Sequence, residues 1–154
     1  MCASLSPQHI LPYNPPPGTI GENAMTTELT YLTWTALLTA ALWVVYIASQ
    51  VQTNGLLTPQ NYVDPEPRPV PLWGKRAHRA YLNSVEVFAP FAALVLIIHV
   101  TNQSNSTTAF LAMAFFWLRL IHAVVYWFAV PFVRTLAFTL GFFCVLGLFW
   151  QVVT

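Results

Sequence analysis

The chain has 154 residues, 56% of them hydrophobic and only 7% charged, where a soluble domain carries roughly a quarter charged residues. A surface so poor in charge is not wetted by water, so the solvent is lipid and the chain is an integral membrane protein. Six Lys and Arg against five Asp and Glu leave a formal charge of +1, which offers no basic face for nucleic acid.

Residues 1–24 hold Pro-Pro-Pro-Gly but neither the charged nor the apolar region of a signal peptide, and read as a disordered extension. Met25, followed by a polar turn, reads as the true or an alternative start of a four-span membrane domain over 25–154. Span one is predicted from about Leu29 to Ala48, roughly the 20 residues needed to cross about 30 Å of hydrocarbon. A polar connection from Ser49 to about His78 follows, whose prolines deny it a continuous helix.

Span two is predicted over about 79–100, with polar first turns (Arg79, Asn83, Ser84, Glu86). Span three covers about 108–128. Span four covers about 131–153, with Pro131 suited to a first helical turn, where its missing N–H costs nothing. Short connections place spans two to four side by side and antiparallel, so the fold class is an all-α four-helix membrane bundle. Four of the six cations (Arg68, Lys75, Arg76, Arg79) lie in or beside the first loop, and the loop between spans two and three has none. The first loop is therefore expected to be cytoplasmic and both termini outside.

Ionisable residues within apolar spans must be desolvated or find partners, and they carry the functional information. Arg79, Asn83 and Glu86 recur at i, i+4, i+7 on span two, and Arg119, His122 and Tyr126 at i, i+3, i+7 on span three, so each set shares one face. Two such stripes satisfy each other only if they face inward. Arg119 is deep in its span, where an unpaired cation costs roughly 3 kcal/mol on insertion scales; Glu86 is the natural counter-charge, and a purely structural ion pair between them is the plainer reading. Pro90 frees the carbonyl of residue 86 and either opens space between helices or serves only packing. Arg134, with Thr135 beside it in the first turn of span four, is either an anion site at a helix N-terminus or an arginine reaching lipid phosphates. His9, His78 and His99 lack paired ligand spacing, and no metal site is expected. Cys2 and Cys144, at opposite ends, suggest no disulfide, and Cys144 reads as an apolar filler. Sequons at Asn102 and Asn105 carry no weight.

Three segments, KRAHRAYLNSVE (Lys75 to Glu86), RLIHAVVYW (Arg119 to Trp127) and PFVRTLAFTLG (Pro131 to Gly141), resemble in content and order the membrane-associated proteins in eicosanoid and glutathione metabolism, most closely their short bacterial members. The resemblance covers about residues 75–151 and is weaker over span one. It implies a homotrimer of four-helix subunits, in a bacterial inner membrane, with glutathione bound between subunits near the cytoplasmic face and lipophilic substrates entering from the lipid. It assigns Asn83, Glu86, His122, Tyr126 and Arg134 to glutathione, Arg79 and Arg119 to support of the polar core, and Arg134 and Thr135 to the vicinity of the thiol.

The implied activity is a glutathione-dependent transferase or peroxidase acting on lipophilic electrophiles or hydroperoxides. Two departures, Phe138 where some catalytic members carry tyrosine and Leu82 at a position that can be arginine, keep a non-catalytic lipid-binding or scaffold role open. A small transporter is a third class, disfavoured by the want of an internal repeat.

Overall fold

The computed structural model describes residues 25–56, 58–59 and 68–154; the expected N-terminal extension lies outside them. Four helices follow in chain order: α1 (Thr27–Asn54), α2 (Leu72–Val100), α3 (Ser106–Trp127) and α4 (Pro131–Val153). Each is long and apolar enough to cross a membrane, and no strand occurs among the described residues.

The helix ends follow from local chemistry. Thr26 opens α1 by accepting the Leu29 N–H on Oγ1 at 3.3 Å, and Gly55 closes it at φ 84°, a left-handed conformation that suits glycine. The side chain of Asn105 accepts the N–H groups of Thr107 and Thr108 at 2.8 and 3.0 Å, while Thr108 Oγ1 accepts the Asn105 N–H at 2.9 Å, a reciprocal capping box. Pro131 occupies the first turn of α4.

Helices α1 and α2 are longer than the spans read from hydropathy. Much of the connection expected over residues 49–78 is helical, since α1 runs on through Asn54 and α2 begins at Leu72. The reason is where the prolines fall: none stands between Ser49 and Asn54 or between Leu72 and His78, and Pro71 immediately precedes α2. At 1.5 Å per residue each of these helices reaches about 40 Å, beyond the hydrocarbon into the interface.

The helices alternate in direction. Packing is closest between α1 and α2 and between α3 and α4, with α3 touching α1 and α2, and α2 touching α4. The apolar core fills the end near the α2–α3 turn, where Phe91, Val95 and Ile98 meet Ala112, Phe115 and Leu148. Phe91 and Phe115 stack there with centroids 4.0 Å apart. That end is tied by Glu28, a buried carboxylate that accepts hydrogen bonds from Ser104 at 2.7 Å and Thr108 at 2.5 Å. It joins the start of α1 to the α2–α3 turn and α3.

At the opposite end α1 and α2 approach closely. A Cβ on Gly74 would lie 2.5 Å from Ser49 Oγ, so only glycine admits this contact, and Thr39 and Ser84 hydroxyls meet at 3.2 Å further along. The outer faces carry exposed apolar side chains such as Trp34, Val44, Phe142 and Phe149, the surface that lipid wets.

Candidate functional site

The second half of the bundle, towards the α3–α4 turn, holds the polar residues. A cavity of about 240 Å³ opens there, lined by Asn83 from α2, His122 and Tyr126 from α3, and Arg134, Thr135 and Phe138 from α4. Its position follows from the packing: three helices converge on it, and the large apolar side chains that fill the other end give way here to polar ones.

Arg134 is the cation of the cavity. Its guanidinium carbon lies 4.7 Å from the centroid of the Tyr126 ring, a cation–π contact that holds the fork without neutralising it. No side chain caps the first turn of α4, so its free N–H groups add partial positive charge beside Arg134. The Thr135 hydroxyl donates to the Pro131 carbonyl at 3.1 Å, which leaves its oxygen free to accept. His122 is buried and packs its ring against Tyr126 at 5.6 Å and Phe138 at 6.0 Å. The arrangement can accept an anion, with an imidazole and an apolar ring in its lining.

The cavity thus collects Asn83, His122, Tyr126, Arg134 and Thr135 from the residues singled out in the sequence. Glu86, Arg79 and Leu82 are elsewhere. All three are exposed along the outward face of α2, whereas Ala77, Ala80, Ser84 and Phe91 form its buried face. The expectation that Arg79, Asn83 and Glu86 form one inward stripe is therefore corrected within the subunit. Close approach to α1 demands small side chains inside, and the bulky charged groups are turned out.

Arg119 is almost wholly buried, at 2% exposure. The expected contact ion pair with Glu86 is absent: no ion pair within 4.0 Å joins them. Arg119 instead lays its stem towards α4, with its Cδ 4.0 Å from where a Cβ of Gly141 would stand. Pro90 is exposed within α2, away from the cavity wall.

The remaining sequence candidates have ordinary places. His78 stacks on Tyr46 with centroids 4.2 Å apart, His99 is exposed in the last turn of α2, and Cys144 is a free, buried thiol in the apolar core. No group of three or more His, Cys, Asp or Glu that could hold a metal exists among the described residues. The sequence reading passed over Glu28, because it stands just before the apolar run; an acid in a first helical turn was the available signal.

Four apolar helices with a polar cavity at one end define a multi-pass integral membrane protein. A model of the MAPEG family matches residues 29–154, and the chain belongs to that family. No match was found among curated proteins. The family includes glutathione transferases and peroxidases together with non-catalytic members.

Proposed function

We propose that the protein binds glutathione in the cavity beside Arg134 and uses its thiolate on lipophilic electrophiles or hydroperoxides dissolved in the membrane. The observation that carries this reading is the cavity itself, with Asn83, His122, Tyr126 and Thr135 gathered around Arg134, which has no ion-pair partner among the described residues. Glutathione brings two carboxylates and an ammonium. Arg134 suits one carboxylate by bidentate contact or, placed nearer the sulfur, stabilises the thiolate. A cation and free helix N–H groups close to a thiol increase its thiolate fraction at neutral pH.

In conjugation, the sulfur lone pair forms the carbon–sulfur bond while the leaving group departs with its electron pair. With a hydroperoxide, the thiolate attacks the O–O bond, the peroxide is reduced to an alcohol, and a second glutathione converts the resulting sulfenic acid to the disulfide and water. In either reaction Asn83, His122 and Thr135 supply hydrogen bonds that orient the peptide, and the Phe138 wall faces the lipophilic reactant.

The proposed assembly is a homotrimer, which accounts for two features of the single subunit. A cavity of about 240 Å³ is smaller than the roughly 300–1,000 Å³ of typical ligand sites, so a neighbouring subunit completes it. Glu86 and Arg79, exposed on α2, are costly against lipid and acceptable against protein. There Glu86 meets the ammonium of the peptide, and Arg79 and Arg119 support the polar region. The cationic end of the bundle, with Lys75, Arg76, Arg79 and Arg134, is placed on the cytoplasmic side of a bacterial inner membrane, with both termini outside.

One observation favours a second reading. Phe138 presents a ring and no phenol to His122, which fits a non-catalytic member that holds a lipid. The deciding experiment adds glutathione to detergent-purified protein and follows thiolate absorbance in the ultraviolet, then product formation across electrophiles and hydroperoxides. Thiolate formation with turnover supports the enzyme; lipid binding without either supports the scaffold.

A further inference from the structure

Three side-chain polar atoms of α3 are buried without a hydrogen-bond partner among the described residues, Arg119 Nε, His122 Nδ1 and Trp127 Nε1; the first two belong to residues three apart on one face of the helix. Buried polar groups are nearly always hydrogen-bonded, and one left alone is costly. Residues three apart on a helix are neighbours, about 5–6 Å between Cβ atoms, and both side chains are 2% exposed. The two atoms are complementary: the arginine Nε–H is a donor under all conditions, and an imidazole nitrogen accepts when it carries no proton. A single water between them, accepting from one and donating to the other, would satisfy both.

We infer that Arg119 is a positioning residue that fixes the tautomer of His122 through one buried water, so that His122 presents Nε2–H to the cavity as a donor. A second buried cation beside Arg119, with no carboxylate within 4.0 Å among the described residues, would cost its own desolvation, so the imidazole is the uncharged member of the pair. Of its two nitrogens, Nδ1 is the one closed off without a partner, while the ring lines the cavity. The nitrogen left for a ligand is Nε2, and with Nδ1 engaged as acceptor it must carry the proton.

The chemical consequence is a site whose donors converge. Nε2–H of His122 joins the Arg134 guanidinium and the open N–H groups of α4, so the bound atom between them is an acceptor, a carboxylate oxygen or a thiolate sulfur. A histidine in the other tautomer would present a lone pair there and repel the same atom. This bearing on the ligand rests on the glutathione reading; the tautomer does not.

The test is therefore made without glutathione. Protein labelled with ¹⁵N at histidine, four residues in all, is examined by NMR in detergent, with the His122 signals assigned by their loss in His122→Gln. The wild type should show a neutral ring protonated at Nε2. Arg119→Met, which keeps the stem and removes the donor, should lose that single state and give a mixture of tautomers, and Arg119→Lys should restore it in part. Wild-type His122 protonated at Nδ1, or on both nitrogens, would overturn the proposal whether or not the variants fold. A pure Nε2–H state retained in a folded Arg119→Met protein would overturn it equally. Glutathione titrated afterwards into the wild type separates the two readings, because absent binding with the expected tautomer sinks only the proposed function.

Discussion

The guanidinium of Arg134 lies over the ring of Tyr126, its central carbon 4.7 Å from the centroid. An aromatic face orients the arginine while leaving its N–H fork unpaired, which a carboxylate in the same place would not. The contact contributes about 0.5–2 kcal/mol. Tyr126→Leu should accordingly weaken glutathione binding several-fold, and Tyr126→Phe, which keeps the ring, should weaken it less. Titration calorimetry on the two variants checks the order; equal losses would assign the role to the hydroxyl.

Glu28 predicts a stability effect at the far end of the molecule. Replacing it with alanine removes the acceptor shared by the Ser104 and Thr108 hydroxyls, a net loss of about 1 kcal/mol per hydrogen bond, although Thr108 can still donate to the Asn105 carbonyl at 2.9 Å. The expected result is a lower Tm in detergent, with glutathione binding retained in whatever fraction stays folded. In a Thr108→Val background the same substitution should cost measurably less, because the two residues share one interaction.

Two glycines should behave differently although both stand in helices, Gly74 in the first turn of α2 and Gly147 within α4. Gly74→Ala drives a methyl into Ser49, against its Oγ at 2.5 Å and its Cβ at 2.7 Å, and overpacking of this kind costs about 1–3 kcal/mol. At Gly147 the obstacle is a terminal methyl of Leu111 at 2.9 Å, which can rotate aside, and the gain in helix propensity of about 0.8–1.0 kcal/mol offsets the shift. Thermal unfolding followed by circular dichroism should place Gly74→Ala well below the wild type and Gly147→Ala close to it.

Phe138 supplies a prediction about chemistry. Its ring faces His122, so Phe138→Tyr places a phenol at the cavity wall beside the proposed thiol. Such a hydroxyl donates to a thiolate, and charge-assisted bonds are roughly twice as strong as neutral ones. Glutathione thiolate absorbance at neutral pH should rise in this variant relative to the wild type. An unchanged signal with normal binding would place the sulfur away from residue 138.

The membrane bundle was legible in the sequence because hydropathy alone marks the spans, and the short connections dictate their order. The cavity was legible for a different reason: His122, Tyr126, Arg134 and Thr135 lie at fixed spacings on two successive helices joined by a tight turn, so their convergence follows once both are helical. The outward placement of Arg79 and Glu86 was not. A polar stripe reports which residues share a face and not which way the face points. The small residues Ala77, Ala80 and Ser84 that claim the interior of α2 are common in any membrane helix. Arg119 illustrates the same limit, since depth in a span showed that it needs a partner without showing which atom provides it.

The central claim, that the cavity beside Arg134 is a glutathione site, is tested most directly by calorimetric titration of glutathione into detergent-purified wild type and Arg134→Ala. The account predicts saturable binding to the wild type at millimolar concentration or below, and affinity at least about tenfold weaker, 1.4 kcal/mol, in a variant of unchanged helicity and assembly size. Wild-type protein that gives no heat at millimolar glutathione, or two proteins that bind it equally, would contradict the account.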